Sequence, residues 1–356
     1  MKVLLCGGGT AGSVTPLLAI AEQLRKQQPQ VELLFVGTTH GPEQTLVPGA
    51  GMPIQSISAG KLRRYWSWKN ISDLVTTVYG CWQSWRLLRH WRPDVVIGAG
   101  SFVCVPVCYA AKMLRIPIFV HQQDVIPGLA NRLIAPWAAA ITVTFTESAN
   151  VFQKSKTEVT GNPIRQSILR ADGRRGREFL KVANDRPIIV CIGGGTGATA
   201  LNSLLAAAAP ELILTADLVH LTGGRTAITL QDPRYHAFEF LDKELPDILA
   251  AASVVVTRAG LGTLSELGGL GKPAIVMPMP DTHQEANSKV ILEHHAALVL
   301  DQRTTTPHQF TTIVTKLLED HQQRTALGTA LHTVFQPGAS ERIAEKILMY
   351  DPQSVR

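Results

Sequence analysis

The stretch Thr257-Arg-Ala-Gly-Leu-Gly-Thr-Leu-Ser-Glu266 directly follows the apolar run Val254-Val-Val256. An apolar run of this length predicts a buried parallel strand, and the glycines at positions 260 and 262 allow a tight turn into a helix. The first backbone N–H groups of a helix have no partner within it, and its dipole favours negative charge there. This stretch therefore predicts a strand, a turn and a helix whose N-terminus suits a phosphate.

Polar side chains near this turn match the other parts of a nucleotide-sugar. Glu266 lies about one turn inside the predicted helix, where a carboxylate can accept hydrogen bonds from two ribose hydroxyls. Gln284 and Asn287 carry amides that can both donate to and accept from sugar hydroxyls. Phosphate, ribose and sugar together indicate a nucleotide-sugar ligand. The alternative is an ordinary turn between strand and helix, in which Glu266 is only solvated.

The same plan, an apolar strand followed by a glycine loop, occurs twice in the chain. The two loops are Gly7-Gly-Gly-Thr-Ala-Gly12 and Gly193-Gly-Gly-Thr-Gly-Ala198. Strand-like and helix-like runs alternate after both, so we expect an α/β fold with two Rossmann-like domains, each a doubly wound parallel sheet. Ligands of such sheets bind beyond the carboxyl ends of the strands, so both loops should face a common cleft.

A polar, charged stretch that begins at Gly161-Asn-Pro-Ile-Arg165 separates the two halves. We therefore expect an N-terminal domain at residues 1–162 and a C-terminal domain at residues 163–356. The last helix, at about 338–350, can pack back on the N-terminal domain.

Both glycine loops also match the G-x-G-x-x-[GA] pattern of dinucleotide-binding oxidoreductases. Those enzymes place an acid at the end of the second strand to hold a ribose. Here the corresponding runs are Phe35-Val-Gly-Thr-Thr39 and Leu221-Thr-Gly-Gly224, and neither contains an acid. Neither loop carries the Gly-Lys-Ser/Thr of an ATP-binding P-loop. The sequence therefore disfavours both alternatives.

The composition is that of a globular protein, since 45% of the residues are hydrophobic and no apolar run reaches the roughly 18 residues that span a bilayer. The five cysteines show no metal-ligand spacing such as Cys-x-x-Cys. We expect them to be reduced thiols in a cytoplasmic protein, and we expect neither a metal site nor a cofactor.

The basic charge is concentrated in residues 61–92, which hold seven Lys or Arg against one acid, Asp73, together with five of the six tryptophans. Apolar residues at helical spacing predict that part of this segment packs on its own domain. Indole rings beside Lys and Arg also suit an anionic membrane surface, whereas no nucleic-acid-binding motif is present. The candidate membrane-contacting residues are Lys61, Arg63, Arg64, Trp66, Trp68, Trp82, Trp85, Arg86 and Arg89.

Seven motifs, in this order, resemble those of the MurG family of glycosyltransferases. They are Gly8-Gly-Thr-Ala-Gly-Ser-Val-Thr-Pro16, Gly98-Ala-Gly-Ser-Phe-Val103, His121-Gln-Gln-Asp124, Pro127-Gly-Leu-Ala-Asn131, Gly161-Asn-Pro-Ile-Arg165, Arg258 to Glu266 and His283-Gln-Glu-Ala-Asn287. The resemblance implies a GT-B fold, in which the N-terminal domain would bind the acceptor and the membrane and the C-terminal domain would bind UDP-GlcNAc. It also implies an inverting transfer of GlcNAc from UDP-GlcNAc to the muramyl 4-hydroxyl of the undecaprenyl-diphosphate-linked acceptor lipid I. The product would be lipid II for peptidoglycan synthesis, made by a peripheral enzyme at the cytoplasmic face of the cell membrane.

The resemblance also assigns roles to individual residues. The implied donor-binding residues are Thr10, Ala11, Gly12, Asp124, Arg165, Gly195, Thr196, Leu241, Leu261, Gly262, Thr263, Leu264, Ser265, Glu266, Gln284 and Asn287. Those implied at the acceptor diphosphate are Gly9, Thr10, Ser13, Gly100 and Ser101. A helix N-terminus, rather than a bound metal, would stabilise the departing UDP, and the sequence contains no Asp-x-Asp.

Three positions depart from the family pattern. Ser13 stands where the first loop usually has a histidine, the carboxylate of the usual His-Glu-Gln-Asn lies two positions later at Asp124, and the hydroxyl of the second loop is moved by one. An inverting transfer needs a group that takes the proton of the acceptor hydroxyl. We expect Asp124 to be this base or to orient His121, at the end of a parallel strand. The alternative is that Asp124 caps the next helix or binds the donor sugar.

Most departures lie in the acceptor half, so two other functions stay open at this point. One is a GT-B transferase with another polyprenyl or glycolipid acceptor. The other is a non-catalytic paralogue that binds a nucleotide-sugar.

Overall fold

The computed structural model describes residues 1–60, 69–194, 198–224 and 230–350, apart from the side chains of residues 69–72 and 74. Some predicted site residues lie outside this description: Lys61, Arg63, Arg64, Trp66, Trp68, Gly195 and Thr196. The described residues form two compact units. Unit 1 contains residues 1–165 and 338–350, and unit 2 contains residues 166–337.

Unit 1 alternates strands and helices along the chain. Its elements before the crossing to unit 2 are β1 (Lys2–Cys6), α1 (Thr15–Gln27), β2 (Glu32–Gly37), α2 (Glu43–Gly49), β3 (Ile54–Ser56), α3 (Lys69–Trp91), β4 (Val95–Gly98), α4 (Cys104–Met113), β5 (Ile118–Gln122), α5 (Leu129–Ile134), β6 (Ala140–Val143), α6 (Thr146–Ala149) and β7 (Thr157–Val159). Within the described residues, the strands form one seven-stranded parallel sheet in the order β3-β2-β1-β4-β5-β6-β7.

Unit 2 repeats the alternation around a second sheet. Its elements are α7 (Gln166–Leu169), α8 (Gly173–Leu180), β8 (Ile188–Ile192), α9 (Thr199–Leu212), β9 (Asp217–Leu221), β10 (Tyr235–Phe238), α10 (Leu245–Ala251), β11 (Val254–Thr257), α11 (Leu261–Leu270), β12 (Ala274–Val276), α12 (His283–Glu293), β13 (Leu298–Val299), α13 (Pro307–Glu319) and α14 (His321–Val334). The described strands form a six-stranded parallel sheet in the order β10-β9-β8-β11-β12-β13. Two doubly wound parallel sheets confirm the predicted α/β fold.

The last helix, α15 (Ala339–Leu348), belongs to unit 1. Its Ile343 and Ile347 are fully buried and pack in one apolar cluster with Leu17 and Ile20 of α1. Arg342 donates from Nη2 to the Thr160 carbonyl at 2.6 Å. Helix α15 thus covers one face of the first sheet and is fixed to the segment that follows β7.

The interior of each sheet consists of apolar strands that are buried on both faces. The middle strands β1 and β8 carry buried side chains nearly throughout, as their continuous apolar runs predict. Among the helices of the described residues, none has the length and apolar character needed to cross a bilayer.

Candidate active site

The first glycine loop, residues 7–13, is held by a buried carboxylate. The Gly9 N–H donates to both oxygens of Glu43, at 3.2 and 3.1 Å, and the Thr38 N–H donates to Glu43 Oε1 at 2.9 Å. Glu43 is fully buried, and a Cβ added at Gly8 would lie 2.3 Å from Glu43 Oε1. Only glycine fits at this position, so the loop and Glu43 determine each other's placement.

Two serines brace the same loop from inside. Ser13 Oγ accepts from the Gly8 N–H at 3.1 Å, and Ser101 Oγ donates to the Gly8 carbonyl at 2.8 Å. Both serines are buried, whereas Thr10 and Gly12 are exposed. Ser13 and Ser101, like the Gly9 N–H, therefore hold the loop together in this structure. The part of the loop that a ligand can reach is Thr10 to Gly12.

His121, in β5, lies inside unit 1 and not at its surface. It is fully buried, with Nδ1 3.0 Å from Thr142 Oγ1 and Nε2 3.0 Å from Asn162 Oδ1. Burial lowers its pKa from 6.5 to about 4, so the ring is neutral at physiological pH. This placement differs from the expectation that His121 acts at the edge of the site. Both ring nitrogens are engaged, and the ring joins β5 to the chain segment after β7.

The residues after His121 fix the end of β5. Gln123 Nε2 donates to the Gly12 carbonyl at 2.7 Å, which joins this strand to the first glycine loop. Gln122 Nε2 donates to the Asp124 carbonyl at 2.7 Å, a bond that a glutamate at position 122 could not donate. Asp124 itself is partly exposed. Its backbone is therefore fixed while its side chain lies at the carboxyl edge of the first sheet.

Gly100 and Arg165 complete the predicted residues of unit 1. Gly100 has φ +80° and a Cβ there would lie 3.1 Å from Asn131 Nδ2, so the turn after β4 requires glycine. Arg165, the last residue of the unit before the crossing, is partly exposed.

In unit 2 the turn from β11 into α11 has the predicted form. Helix α11 begins at Leu261, directly after Gly260, and its first-turn residues Gly262 and Thr263 are partly exposed. Ser265 is buried and its Oγ donates to the Leu261 carbonyl at 2.6 Å. The accessible donors at this helix N-terminus therefore belong to the backbone and to Thr263, while Leu264 and Ser265 face the interior.

Four other predicted donor residues belong to unit 2: Glu266, Gln284 and Asn287 in α11 and α12, and Leu241 after β10. Glu266 is 7% exposed, one turn inside α11. Asn287 is fully buried and its Nδ2 donates to the Ala259 carbonyl at 3.0 Å, so its amide supports the turn from behind. Gln284 is partly exposed, and its Oε1 accepts from the Met279 N–H at 3.0 Å, which leaves its NH₂ for a ligand. Leu241 is nearly buried beyond the end of β10.

A pocket of about 500 Å³ lies at the opposite, amino edge of the second sheet. Its basic side chains cap helix ends: Lys272 Nζ donates to the Ala252 carbonyl after α10, at 3.1 Å, and His332 Nδ1 lies 2.8 Å from the Gly268 carbonyl of α11. Both groups lie against carbonyls at helix C-termini, where the positive charge of Lys272 is favourable, so they have a structural role. Ligands of such sheets bind at the carboxyl edge, and this pocket is not the candidate site.

No cluster of three or more His, Cys, Asp or Glu side chains that could hold a metal occurs in the part of the chain that the structure describes.

Comparison with known families agrees with this arrangement. Residues 3–143 match the model of the Glycosyltransferase family 28 N-terminal domain, and residues 188–343 match that of the Glycosyltransferase family 28 C-terminal domain. Each domain contains one of the two glycine loops. The chain therefore belongs to glycosyltransferase family 28.

Two curated relatives are named UDP-N-acetylglucosamine–N-acetylmuramyl-(pentapeptide) pyrophosphoryl-undecaprenol N-acetylglucosamine transferase. The relative from Lachnospira eligens is 36% identical, with 90% of this chain and 92% of the relative covered. The relative from Moorella thermoacetica is 35% identical, with 98% of both chains covered. The crystal structure of Acinetobacter baumannii MurG has the same fold, with a TM-score of 0.72 at 24% identity over 98% of this chain and 99% of that one. The chain belongs to the MurG family of N-acetylglucosamine transferases, which confirms the resemblance and the GT-B fold class.

The buried His121 makes stability depend on pH. The unfolded histidine titrates near 6.5 and the folded one near 4, so between these values the unfolded state binds more protons. Stability is therefore fully present above pH 6.5 and is lost as the pH falls towards 4, by up to about 3 kcal/mol at 1.36 kcal/mol per pKa unit.

Urea unfolding of the wild type and of His121→Gln at pH 7 and pH 4.5 measures this effect. The variant should lose less stability on acidification than the wild type. The exposed His321→Gln should behave like the wild type. Identical losses in wild type and His121→Gln would contradict the assignment.

Proposed function

We propose that this protein transfers GlcNAc, with inversion, from UDP-GlcNAc to the muramyl 4-hydroxyl of undecaprenyl-diphosphate-linked MurNAc-pentapeptide, giving lipid II. The observation that carries the proposal is the N-terminus of α11 with Glu266 buried one turn inside it, in a chain whose relatives are named for this transfer. The two units contribute separate parts of the chemistry, the donor part in unit 2 and the proton-accepting part in unit 1.

The donor part follows from the charge that develops on UDP. As the bond from GlcNAc to the diphosphate breaks, negative charge grows on the departing phosphate. The first-turn N–H groups of Gly262 and Thr263 and the dipole of α11 stabilise this charge without a metal. Glu266 accepts from the ribose hydroxyls, Gln284 donates to a GlcNAc hydroxyl, and Leu241 covers the uracil.

Purified protein, labelled UDP-GlcNAc and short-chain lipid I should give lipid II, and Glu266→Ala should weaken UDP binding. A buried pair of ribose hydroxyls that loses its acceptor costs about 1–3 kcal/mol, roughly a five- to hundredfold loss of affinity. Calorimetry with UDP measures the affinity of the variant.

The matched control is Glu293→Ala, which removes an exposed carboxylate from α12 and should leave UDP affinity unchanged. Equal affinity of Glu266→Ala and wild type would remove Glu266 from the site. Donor binding without product on lipid I would instead indicate another acceptor or a non-catalytic protein.

The proton-accepting part rests on Asp124. Ser13 is committed to the first loop, and both nitrogens of His121 are engaged inside unit 1. Asp124 has a partly exposed carboxylate on a backbone that Gln122 fixes at the end of β5. We therefore propose that Asp124 is the general base that takes the proton of the acceptor hydroxyl. The exposed residues of the first loop, Thr10 to Gly12, would bind the acceptor diphosphate.

Asp124→Asn keeps the shape of the side chain and removes its basicity. Turnover should fall about 10²–10⁴-fold with UDP affinity intact, as expected for loss of a general base. Neutralising the exposed Glu147 on the neighbouring α6, as Glu147→Gln, should have no effect. A variant Asp124→Asn that retains turnover within a few-fold of wild type is incompatible with this role.

We also propose that α3 rests on the membrane that carries the acceptor. Val75, Val78, Tyr79 and Trp82 recur at helical spacing and are 51–67% exposed, while Leu88 on the other face is buried. The Arg86 guanidinium lies over the Trp82 ring at 5.9 Å. An exposed apolar row bordered by arginines suits the headgroup region of an anionic bilayer.

Charge reversal of Arg86 and Arg89 to Glu should reduce flotation with anionic vesicles, because each basic residue near such a surface contributes about 1 kcal/mol. Added salt should reduce wild-type binding in the same way. The control Lys26→Glu with Lys154→Glu makes the same change in net charge at exposed positions elsewhere on unit 1. Equal flotation of both double variants at all salt concentrations would contradict membrane contact by α3 and indicate that this helix only packs on unit 1.

A further inference from the structure

A buried hydrogen-bond chain in unit 2 joins three segments: the start of α9, the end of β9 with the turn after it, and the start of β10. His220 of β9 is fully buried, with Nδ1 2.8 Å from the Tyr235 hydroxyl and Nε2 3.0 Å from Asn202 Oδ1. Asn202, also fully buried, donates from Nδ2 to the Thr222 carbonyl at 2.9 Å. None of these four residues is among those assigned to substrate.

The partners determine the direction of every bond in this chain. The Thr222 carbonyl can only accept, so the Asn202 NH₂ faces it and Asn202 Oδ1 faces the imidazole. Nε2 of His220 therefore carries the hydrogen. Burial lowers the pKa of His220 to about 4, so the neutral ring has no second hydrogen, and Nδ1 accepts from the Tyr235 hydroxyl.

The three joined segments lie next to predicted donor residues along the chain. Asn202 lies in the first turn of α9, directly after the second glycine loop. Thr222 begins the Thr222-Gly-Gly224 turn after β9. Tyr235 opens β10, which leads to Leu241.

Backbone bonds connect the last two segments. The Thr222 N–H donates to the Phe238 carbonyl at 2.9 Å, and the Gly223 N–H donates to the Glu239 carbonyl at 3.1 Å. Gly224 has φ +71°, and a Cβ there would lie 2.5 Å from Glu239 Oε1. The turn after β9 therefore lies directly against the segment that carries Leu241, and the positive φ at position 224 favours glycine there.

We propose that His220, together with Asn202 and Tyr235, positions the donor site: it sets the start of α9 against the uracil-binding segment without touching UDP-GlcNAc itself. This inference rests on the proposed function, because Leu241 is a donor element only there. Loss of the chain leaves the first-turn groups of α11 and Asp124 in place. Donor affinity should therefore fall while the chemical step and acceptor use continue.

Asn202→Ala removes the bonds to both His220 and Thr222 and is the principal test. The KM for UDP-GlcNAc and the Kd for UDP should both rise, by about five- to thirtyfold for broken buried hydrogen bonds, with kcat and the KM for lipid I within about twofold of wild type. Tyr235→Phe removes only one hydroxyl, so it should raise the KM for UDP-GlcNAc and the Kd for UDP by less than Asn202→Ala does. It should also disturb folding less than Asn202→Ala.

The control is Ser253→Ala, at the amino edge of the sheet, where the hydroxyl accepts from the Ile188 N–H at 3.3 Å. It removes one hydrogen bond and should lower the melting temperature without changing donor KM. If Asn202→Ala and Tyr235→Phe lower only the melting temperature and leave donor KM unchanged, the chain is merely structural and the proposal is overturned. A wild-type protein that binds no UDP would instead overturn the proposed function.

Nitrogen NMR of the histidines tests the direction of the chain independently. At pH 7, His220 should be the Nε2–H tautomer, and Asn202→Ala should change its nitrogen shifts. A protonated ring or an Nδ1–H tautomer for His220 at that pH would contradict the bond directions on which the proposal depends.

Discussion

In both sheets the strand that precedes a glycine loop lies inside the sheet. The next two strands along the chain extend the sheet on one side of it, and the later strands extend it on the other side. β2 and β3 extend from one side of β1 and β4 to β7 from the other, and β8 is placed likewise between β9 and β11. At such a reversal the loop after the central strand is left uncovered by its neighbouring connections. The position of the first glycine loop, and of Gly193 and Gly194 where the second begins, depends on this single feature of the winding.

Each unit contains a buried neutral histidine that joins a strand of its sheet to a segment outside that strand. His121 of β5 contacts Asn162, and His220 of β9 contacts Asn202, in both cases through Nε2 at 3.0 Å. A neutral imidazole offers one donor and one acceptor on opposite sides of a flat ring, so it can bridge two segments without burying a charge. Burial lowers the pKa of both rings and keeps them neutral, whereas the hydrogen bond to Asn162 raises the pKa of His121.

The sequence predicted the β11–α11 turn well because all of its signals are local: an apolar strand, two glycines and a helical run within fourteen residues, Ser253 to Glu266. Side-chain direction was harder to predict. Asn287 and Ser13 carry polar groups suited to a ligand, yet both face inward because carbonyl or N–H groups of adjacent loops need partners. His121 meets Asn162, a residue far along the chain, which no local pattern indicates. The edge strands β3 and β7 have only three residues each, and their mixed composition gives no strand signal.

Helix α15 has a consequence for how the chain is made on the ribosome. The apolar face of α1 around Leu17 and Ile20 is covered by Ile343 and Ile347, which are synthesised only after all of unit 2. At about 5–20 residues per second, the roughly 170 intervening residues take on the order of 10–30 seconds. During that time unit 2 can complete its own core, whereas unit 1 has an uncovered apolar face that nascent-chain chaperones can bind.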